Sequence, residues 1–142
     1  MNPTLHWHMA YWLLKTEPDV YSIDDLKRDK STVWDGVSNN AALKNIRAMQ
    51  RGDECLIYHT GDERAAVGIA KVTKGPHADP AKDDEKLVVV DVKFVKKFAA
   101  PVTLAMVKAE ERFADWNLVR QARLSVVPTS EEQWNWVVEQ AK

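Results

Sequence analysis

The chain has 142 residues, of which 45% are hydrophobic and 29% are charged, a composition typical of one globular domain. Lys and Arg total 20 against 21 for Asp and Glu, so net charge alone cannot hold a polyanion, and any nucleic-acid binding must be local. No apolar stretch approaches the ~20 residues that a membrane-spanning helix needs. The lone Cys55 excludes a disulfide framework. We therefore expect one cytoplasmic domain without membrane contact.

The N-terminal residues lack the apolar segment and cleavage site of a signal peptide. We expect residues 1–9 to be a disordered extension and residues 10–142 to form the domain. His6 and His8 lack the third ligand that a metal site needs. Because the sequence also has no Cys/His metal spacing and no glycine-rich phosphate loop, we expect neither metal nor cofactor.

The first half of the chain alternates short apolar runs with turn and cap residues. Pro18 ends the first strand, and Ser22 begins a helix with an acidic residue three positions later, as in a capping box. The predicted elements are a strand at Tyr11–Leu14, a helix ending near Asp29, a strand at Thr32–Trp34, and a helix capped by Asn39 or Asn40 and closed by Gly52.

The second half is dominated by strand patterns. These predict strands at Glu54–His59, Ala65–Thr73, Leu87–Phe98 and Leu124–Pro128, a polar loop over about 75–86, a helix over Pro101–Ala109, and a last helix opened by a capping box at Ser130. Strands outnumber helices and no βαβ alternation occurs. We therefore expect an α+β fold, a partly closed barrel of mixed strands flanked by short helices.

Polar and aromatic residues gather where three predicted strands end, at Lys15-Thr-Glu17, Trp34-Asp-Gly-Val-Ser-Asn39 and Tyr58-His-Thr60. If these ends converge, an indole with surrounding polar groups suits a flat heterocycle. Each residue alone also fits a structural role: Trp34 as core, His59 as a buried histidine.

Two cations lie beside a hydroxyl just before the last strand. Arg120, Arg123 and Ser125 suit a phosphate or a base edge. The two arginines could equally be surface cations that pair with Asp115 or Glu111.

Five ordered blocks of the sequence resemble the EVE domain, a member of the PUA-like superfamily. The resemblance covers nearly all of residues 10–140 and is carried by Tyr11-Trp-Leu-Leu-Lys-Thr-Glu-Pro18, Val33-Trp-Asp-Gly-Val37 followed by Asn39, Ile57-Tyr-His-Thr60, Val67-Gly-Ile-Ala70 and Leu118-Val-Arg-Gln-Ala-Arg-Leu-Ser-Val126. It implies a PUA-like pseudobarrel whose pocket holds a modified base, close in plan to the YTH domains that read methylated adenine in RNA.

The resemblance also implies a partner and a set of roles. EVE domains are thought to read modified bases in DNA, chiefly modified cytosine, so we expect a monomeric reader with DNA favoured over RNA. Trp34 would stack on the base. Edge contacts to the base would come from Thr16, Asn39, His59 and Thr60, and the pocket would be bordered by Arg120, Arg123 and Ser125. The pairs Lys15-Thr16 and Trp34-Asp35 also resemble the corresponding strand-end pairs of YTH domains.

The chain departs from the family pattern at two positions that bear on binding. Ser38 replaces an arginine and Asn40 an aromatic residue, so a cation and a ring are lost. Thr16 in place of serine and Ala122 in place of glycine are milder changes. We expect weakened backbone contact or altered ligand choice.

The sequence leaves two other functions open. Some PUA-like relatives are hydrolases of modified nucleosides that use Lys, Thr and Glu, and Lys15, Thr16 and Glu17 are adjacent here. Along a strand, however, Thr16 would point away from Lys15 and Glu17, so the three side chains could not form a compact nucleophile-and-base triad. The third alternative is a module that binds a protein or a small molecule.

Overall fold

The computed structural model describes residues 10–142, so the predicted disorder of residues 1–9 lies outside the described residues. The elements, in chain order, are β1 (Tyr11–Thr16), α1 (Ile23–Asp29), β2 (Ser31–Trp34), α2 (Asn40–Ala48), β3 (Glu54–His59), β4 (Ala65–Ala78), β5 (Val88–Thr103), α3 (Leu104–Lys108), a 3-10 helix (Glu111–Phe113), α4 (Asn117–Arg120), β6 (Val126–Thr129) and α5 (Glu131–Gln140). Within residues 10–142, no helix is long and apolar enough to cross a membrane.

The six strands form one mixed sheet in the order β2-β5-β4-β3-β1-β6. β1 runs parallel to β3, and the other neighbours are antiparallel. Trp34 on β2 and Ser125 beside β6 belong to opposite edges of this order, yet both line one cavity. The sheet therefore curls until its edges approach each other, which confirms the predicted α+β fold of mixed strands and short helices.

The core covers both faces of the central strands, because β1, β3 and β4 each contain a run of consecutive buried residues. α2 contributes Ala42, Leu43 and Ile46, which fall on one face of the helix and are buried. α1 can approach the sheet closely at Gly68, because glycine has no Cβ. A Cβ at this position would lie only 2.6 Å from Ile23 Cδ1 and 2.5 Å from the Lys96 carbonyl oxygen. Cys55 is buried, as predicted, and burial raises the pKa of its thiol.

A buried carboxylate fastens the start of β1 to the turn before β3. Asp53 accepts hydrogen bonds from the Ala10 amide at 3.1 Å, the Trp12 indole N–H at 3.0 Å and the Gln50 amide at 2.9 Å. No cation pairs with Asp53 among the described residues. The cost of burying its charge is therefore offset by these three hydrogen-bond donors. The β1–β3 pairing that positions Lys15 and Thr16 starts from this contact.

The sequence predicted the capping boxes at Ser22 and Ser130 correctly. The predicted helix over Pro101–Ala109 is wrong in its first turn, because β5 continues to Thr103 and only Leu104–Lys108 is helical. Val102 is buried and pairs with Ala66, so tertiary pairing overrides the local pattern.

Boundaries elsewhere in the chain also differ from the prediction. β4 extends to Ala78 through residues predicted as loop, β6 begins at Val126, two positions later than expected, and α2 ends at Ala48, well before Gly52. The 3-10 helix and α4 were not predicted. Both are short, so neither shows a helical period that could be detected in the sequence.

Candidate functional site

A cavity of about 360 Å³ opens where the ends of β1 and β2 meet the segment before β6. Its volume is in the range of small-molecule sites. The loop after β1 forms its remaining wall. The lining residues are Lys15, Thr16, Glu17, Val20, Tyr21, Thr32, Val33, Trp34, Asp35, Gly36, Val37 and Ser125.

Two aromatic side chains line the cavity. Trp34 and Tyr21 lie nearly perpendicular, at an interplanar angle of 82° with ring centroids 6.3 Å apart. Trp34 is only 6% exposed and belongs to the hydrophobic core. Trp34 therefore has the core role that the sequence left open, and it also borders the cavity.

Hydrogen bonds hold the loop after β1 in one shape. The amides of Val20 and Tyr21 both donate to the Glu17 carbonyl at 2.9 Å, and the Thr16 hydroxyl donates to the Tyr21 carbonyl at 2.7 Å. The Tyr21 hydroxyl donates to Asp29 at 2.9 Å. Burial, together with this bond, raises the pKa of Tyr21. Val20 is left 73% exposed at the rim of the cavity.

Opposite charges line the polar part of the cavity. The Lys15 ammonium donates to the Ala122 carbonyl at 2.8 Å and lies 5.8 Å from the Tyr58 ring centroid. Burial lowers the pKa of Lys15. Asp35 is exposed and follows β2 directly, and Gly36 turns the chain at a φ of 79°. The cavity thus offers both a cationic donor and an anionic acceptor.

Five of the ten predicted site residues meet at this cavity, and five do not line it. Lys15, Thr16, Trp34, Asp35 and Ser125 are lining residues, whereas Asn39, His59, Thr60, Arg120 and Arg123 lie elsewhere.

Asn39 is the N-cap of α2. Its side-chain oxygen accepts from the amides of Ala41 at 2.9 Å and Ala42 at 3.1 Å, so this oxygen satisfies the start of the helix. Asn39 and Arg123 line a second cleft of about 340 Å³ between α2 and residues 121–124. Arg120 is exposed and lines neither this cleft nor the first cavity.

His59 is buried, and both of its ring nitrogens are engaged. Nε2 accepts the Ile23 amide at 3.0 Å, so Nδ1 carries the proton and donates to Glu63 at 2.7 Å. The imidazole thus fastens α1 to the end of β3. The predicted edge contact from His59 is corrected to this structural role. Thr60 lines a third cleft, of about 400 Å³, on the far side of Glu17.

The sequence did not single out Val20, Tyr21, Thr32, Val33 and Val37 as site residues. Tyr21 directly precedes the N-cap Ser22, a position where an apolar residue commonly packs against the helix, so the sequence favours a packing role there. The one available signal was Val20, an apolar residue within the polar turn that follows Pro18.

The EVE domain model matches residues 10–140. The chain belongs to the EVE domain family. This EVE domain is 30% identical over 163 aligned positions to human thymocyte nuclear protein 1, and the alignment covers 91% of this chain and 72% of that protein.

Solved structures agree with this assignment. Rpa0253 from Rhodopseudomonas palustris superposes with a TM-score of 0.88 at 41% identity, covering 94% of this chain and 93% of that one. Human THYN1, in a crystal structure with DNA that contains 5-methylcytosine, superposes with a TM-score of 0.84 at 29% identity, covering 94% of this chain and 98% of that one.

A YTH domain shares the fold of this EVE domain. The Mmi1 YTH domain superposes with a TM-score of 0.61 at 14% identity, covering 94% of this chain and 76% of that one. At this identity the similarity concerns the fold alone.

Proposed function

We propose that this EVE domain is a non-enzymatic reader that binds a modified base, with modified cytosine in DNA favoured over modified RNA. The base would occupy the cavity beside Trp34 and Tyr21. The observation that carries the proposal is the composition of this cavity: two aromatic rings, a lysine and a carboxylate around about 360 Å³. The human relative that was crystallised with 5-methylcytosine DNA supports the choice of cytosine.

The polar lining complements the edge of cytosine. Cytosine presents an exocyclic amine that donates and a ring edge that accepts. Asp35 can accept from the amine, and the Lys15 ammonium can donate to the accepting edge. A base that carries a carbonyl at the amine position would face the Asp35 carboxylate with an acceptor. Thymine is therefore expected to be rejected although its ring fits.

The apolar lining gives the methyl group a place to bind. Val20 and Val37 both line the cavity, and apolar side chains contact a 5-methyl group favourably. Burying one methyl group contributes about 0.8 kcal/mol, which corresponds to about fourfold in affinity. The expected preference for 5-methylcytosine over cytosine is thus modest for the free nucleoside.

The arrangement of Lys15, Thr16 and Glu17 does not favour the hydrolase alternative. The Thr16 hydroxyl proton is already donated to the Tyr21 carbonyl at 2.7 Å, and the Lys15 ammonium donates to Ala122. No side-chain hydrogen bond joins the three residues in the described part of the chain. A nucleophile needs a neighbouring base that accepts its proton.

Calorimetric titration with 5-methyl-2′-deoxycytidine, 2′-deoxycytidine, thymidine and N6-methyladenosine tests the proposal, with chromatography of each mixture after incubation. We expect saturable binding that is strongest for 5-methyl-2′-deoxycytidine, and no product. Product formation would establish the hydrolase. The absence of both binding and product with all four nucleosides would favour a protein-binding or small-molecule module.

A pair of matched variants localises the binding to the cavity. Asp35→Ala should weaken binding of 5-methyl-2′-deoxycytidine and reduce discrimination against thymidine, because the acceptor for the amine is lost. Asp62→Ala removes another exposed carboxylate, from the neighbouring cleft, and should change neither. The cytoplasmic location and the monomeric state stay predictions, which fractionation and light scattering would test.

A further inference from the structure

The charges of this nearly neutral chain are segregated in sequence. Residues 36–52 contain three cations and no acidic residue, and residues 116–130 contain two cations and no acidic residue. All five cations are exposed. We call them the basic face: Lys44, Arg47, Arg51, Arg120 and Arg123.

The fold brings the two acid-free segments together. α2 packs against β6, and the Asn45 side-chain amide donates to the Val126 carbonyl at 2.8 Å. The second cleft is lined from both segments, by Asn39 and Ala41 on one side and by residues 121–124 on the other. Lys44 and Arg47 follow one another on the exposed side of α2, opposite its buried residues.

The cations of the basic face are not neutralised within the protein. Among residues 10–142, none of the five forms an ion pair, whereas Arg28, Lys97 and Arg112 each contact a carboxylate. Arg47 donates to the Lys86 carbonyl at 3.0 Å, a contact that orients the guanidinium and leaves its charge uncompensated. No direct ion pair therefore reduces the charge of these five cations among the described residues.

The cavity beside Trp34 lies between this face and a surface of the opposite sign. Lys15 lines the cavity and donates to Ala122, which lines the second cleft. On the other side, Glu17 lines both the cavity and the third cleft. The carboxylates of that third cleft are Glu17, Asp19, Asp62 and Glu63. A polyanion that reaches the cavity is thus attracted on one side and repelled on the other.

We propose that the basic face binds the sugar-phosphate backbone of the nucleic-acid strand whose base enters the cavity. This inference rests on the proposed function and adds the path of the strand: over α2 and residues 120–123, and away from the third cleft. The contacts are to phosphates, so they hold the strand in place and do not read its sequence.

The test compares a double variant of the basic face with a charge-matched control. Lys44→Ala with Arg123→Ala removes two cations of the face. Lys96→Ala with Lys108→Ala removes two exposed cations of β5 and α3 that form no ion pair among the described residues. The parent and both variants are titrated over a range of salt with a short single-stranded DNA carrying one 5-methylcytosine, with its unmodified counterpart, and with 5-methyl-2′-deoxycytidine.

We expect the double variant to bind both DNA strands more weakly and to lose about 0.7 unit of slope in log K against log salt for each phosphate contact removed. Its affinity for the free nucleoside should equal that of the parent, since the nucleoside has no phosphate. The control should match the parent with all three probes. Asp19→Asn with Asp62→Asn should strengthen DNA binding, because two of the four carboxylates of the third cleft lose their negative charge.

The outcomes separate this inference from the proposed function. If the parent binds DNA without preferring 5-methylcytosine and the double variant still loses salt dependence, the base-reading function fails and the phosphate path stands. An unchanged salt slope in the double variant, an equal loss in the control, or a parent that binds no DNA would each overturn the phosphate path.

Discussion

Replacing Trp34 by alanine should damage both stability and binding, and a second tryptophan allows the two effects to be separated. Trp34 is 6% exposed in the core and also lines the cavity. Truncating a buried tryptophan costs about 3–5 kcal/mol of unfolding free energy. A domain of this size has about 5–15 kcal/mol in total, so the variant should remain folded at low temperature. Separately, the loss of stacking on a base should reduce the binding free energy by about 1–3 kcal/mol.

Trp134 is the matched control. It is 7% exposed, stacks on Tyr11 with centroids 4.6 Å apart, and does not line the cavity. Trp134→Ala should therefore cost a similar unfolding free energy with unchanged ligand affinity. Trp34→Ala should raise the Kd for 5-methyl-2′-deoxycytidine by about 5- to 150-fold.

The assay is urea unfolding for stability and calorimetry well below the unfolding midpoint for affinity. Circular dichroism checks that each variant is folded at the binding temperature. If folded Trp34→Ala binds the nucleoside as tightly as the parent, the indole belongs only to the core and the proposed stacking is wrong. Equal losses of affinity in both variants would mean that general destabilisation, and not the cavity wall, weakens binding.

Three further substitutions test single contacts. His59→Ala should cost about 1–3 kcal/mol of unfolding free energy, because the buried Ile23 amide loses its acceptor, while nucleoside affinity measured by calorimetry stays unchanged. Asp53→Ala should lower the urea midpoint more than His59→Ala, because three donors lose their acceptor at once. Burial lowers the pKa of Lys15, so between that lowered pKa and the pKa in the unfolded chain, only the unfolded chain still holds this proton. The contribution of Lys15 to the unfolding free energy should therefore rise with pH in this window. Urea unfolding of the parent and of Lys15→Met at several pH values should isolate this contribution as the difference between the two proteins.

The sequence predicted elements well where local chemistry and packing agree. Ser22 and Ser130 begin helices through capping boxes that involve residues only three positions away. The end of β5 could not be predicted in this way. Its last residues pair with Ala65 and Ala66, about 37 positions earlier in the chain, and local pattern carries no information about that partner.

The candidate site was predicted in part for the same reason. Strand ends converge in a curled sheet, so Lys15, Thr16, Trp34 and Asp35 were correctly placed together. His59 also follows this rule in sequence, but its side chain turns towards the start of α1 and not into the cavity. A side chain's direction depends on which partner is closer, and only the fold supplies that partner.

The near-neutral composition predicts a shallow salt dependence of nucleic-acid binding, and the basic face leads to a different expectation. Screening confines a charge's influence to about 10 Å at 0.1 M salt, so a strand at the cavity responds to nearby charges and hardly to the net charge of −1. A single strand that contacted all five cations would show a slope of about −3.5 in log K against log salt, and one that contacted three a slope of about −2. Position 38 is a serine, so it adds no cation to this count. A measured slope near zero would mean that the strand avoids the basic face, and that the base alone holds the complex together.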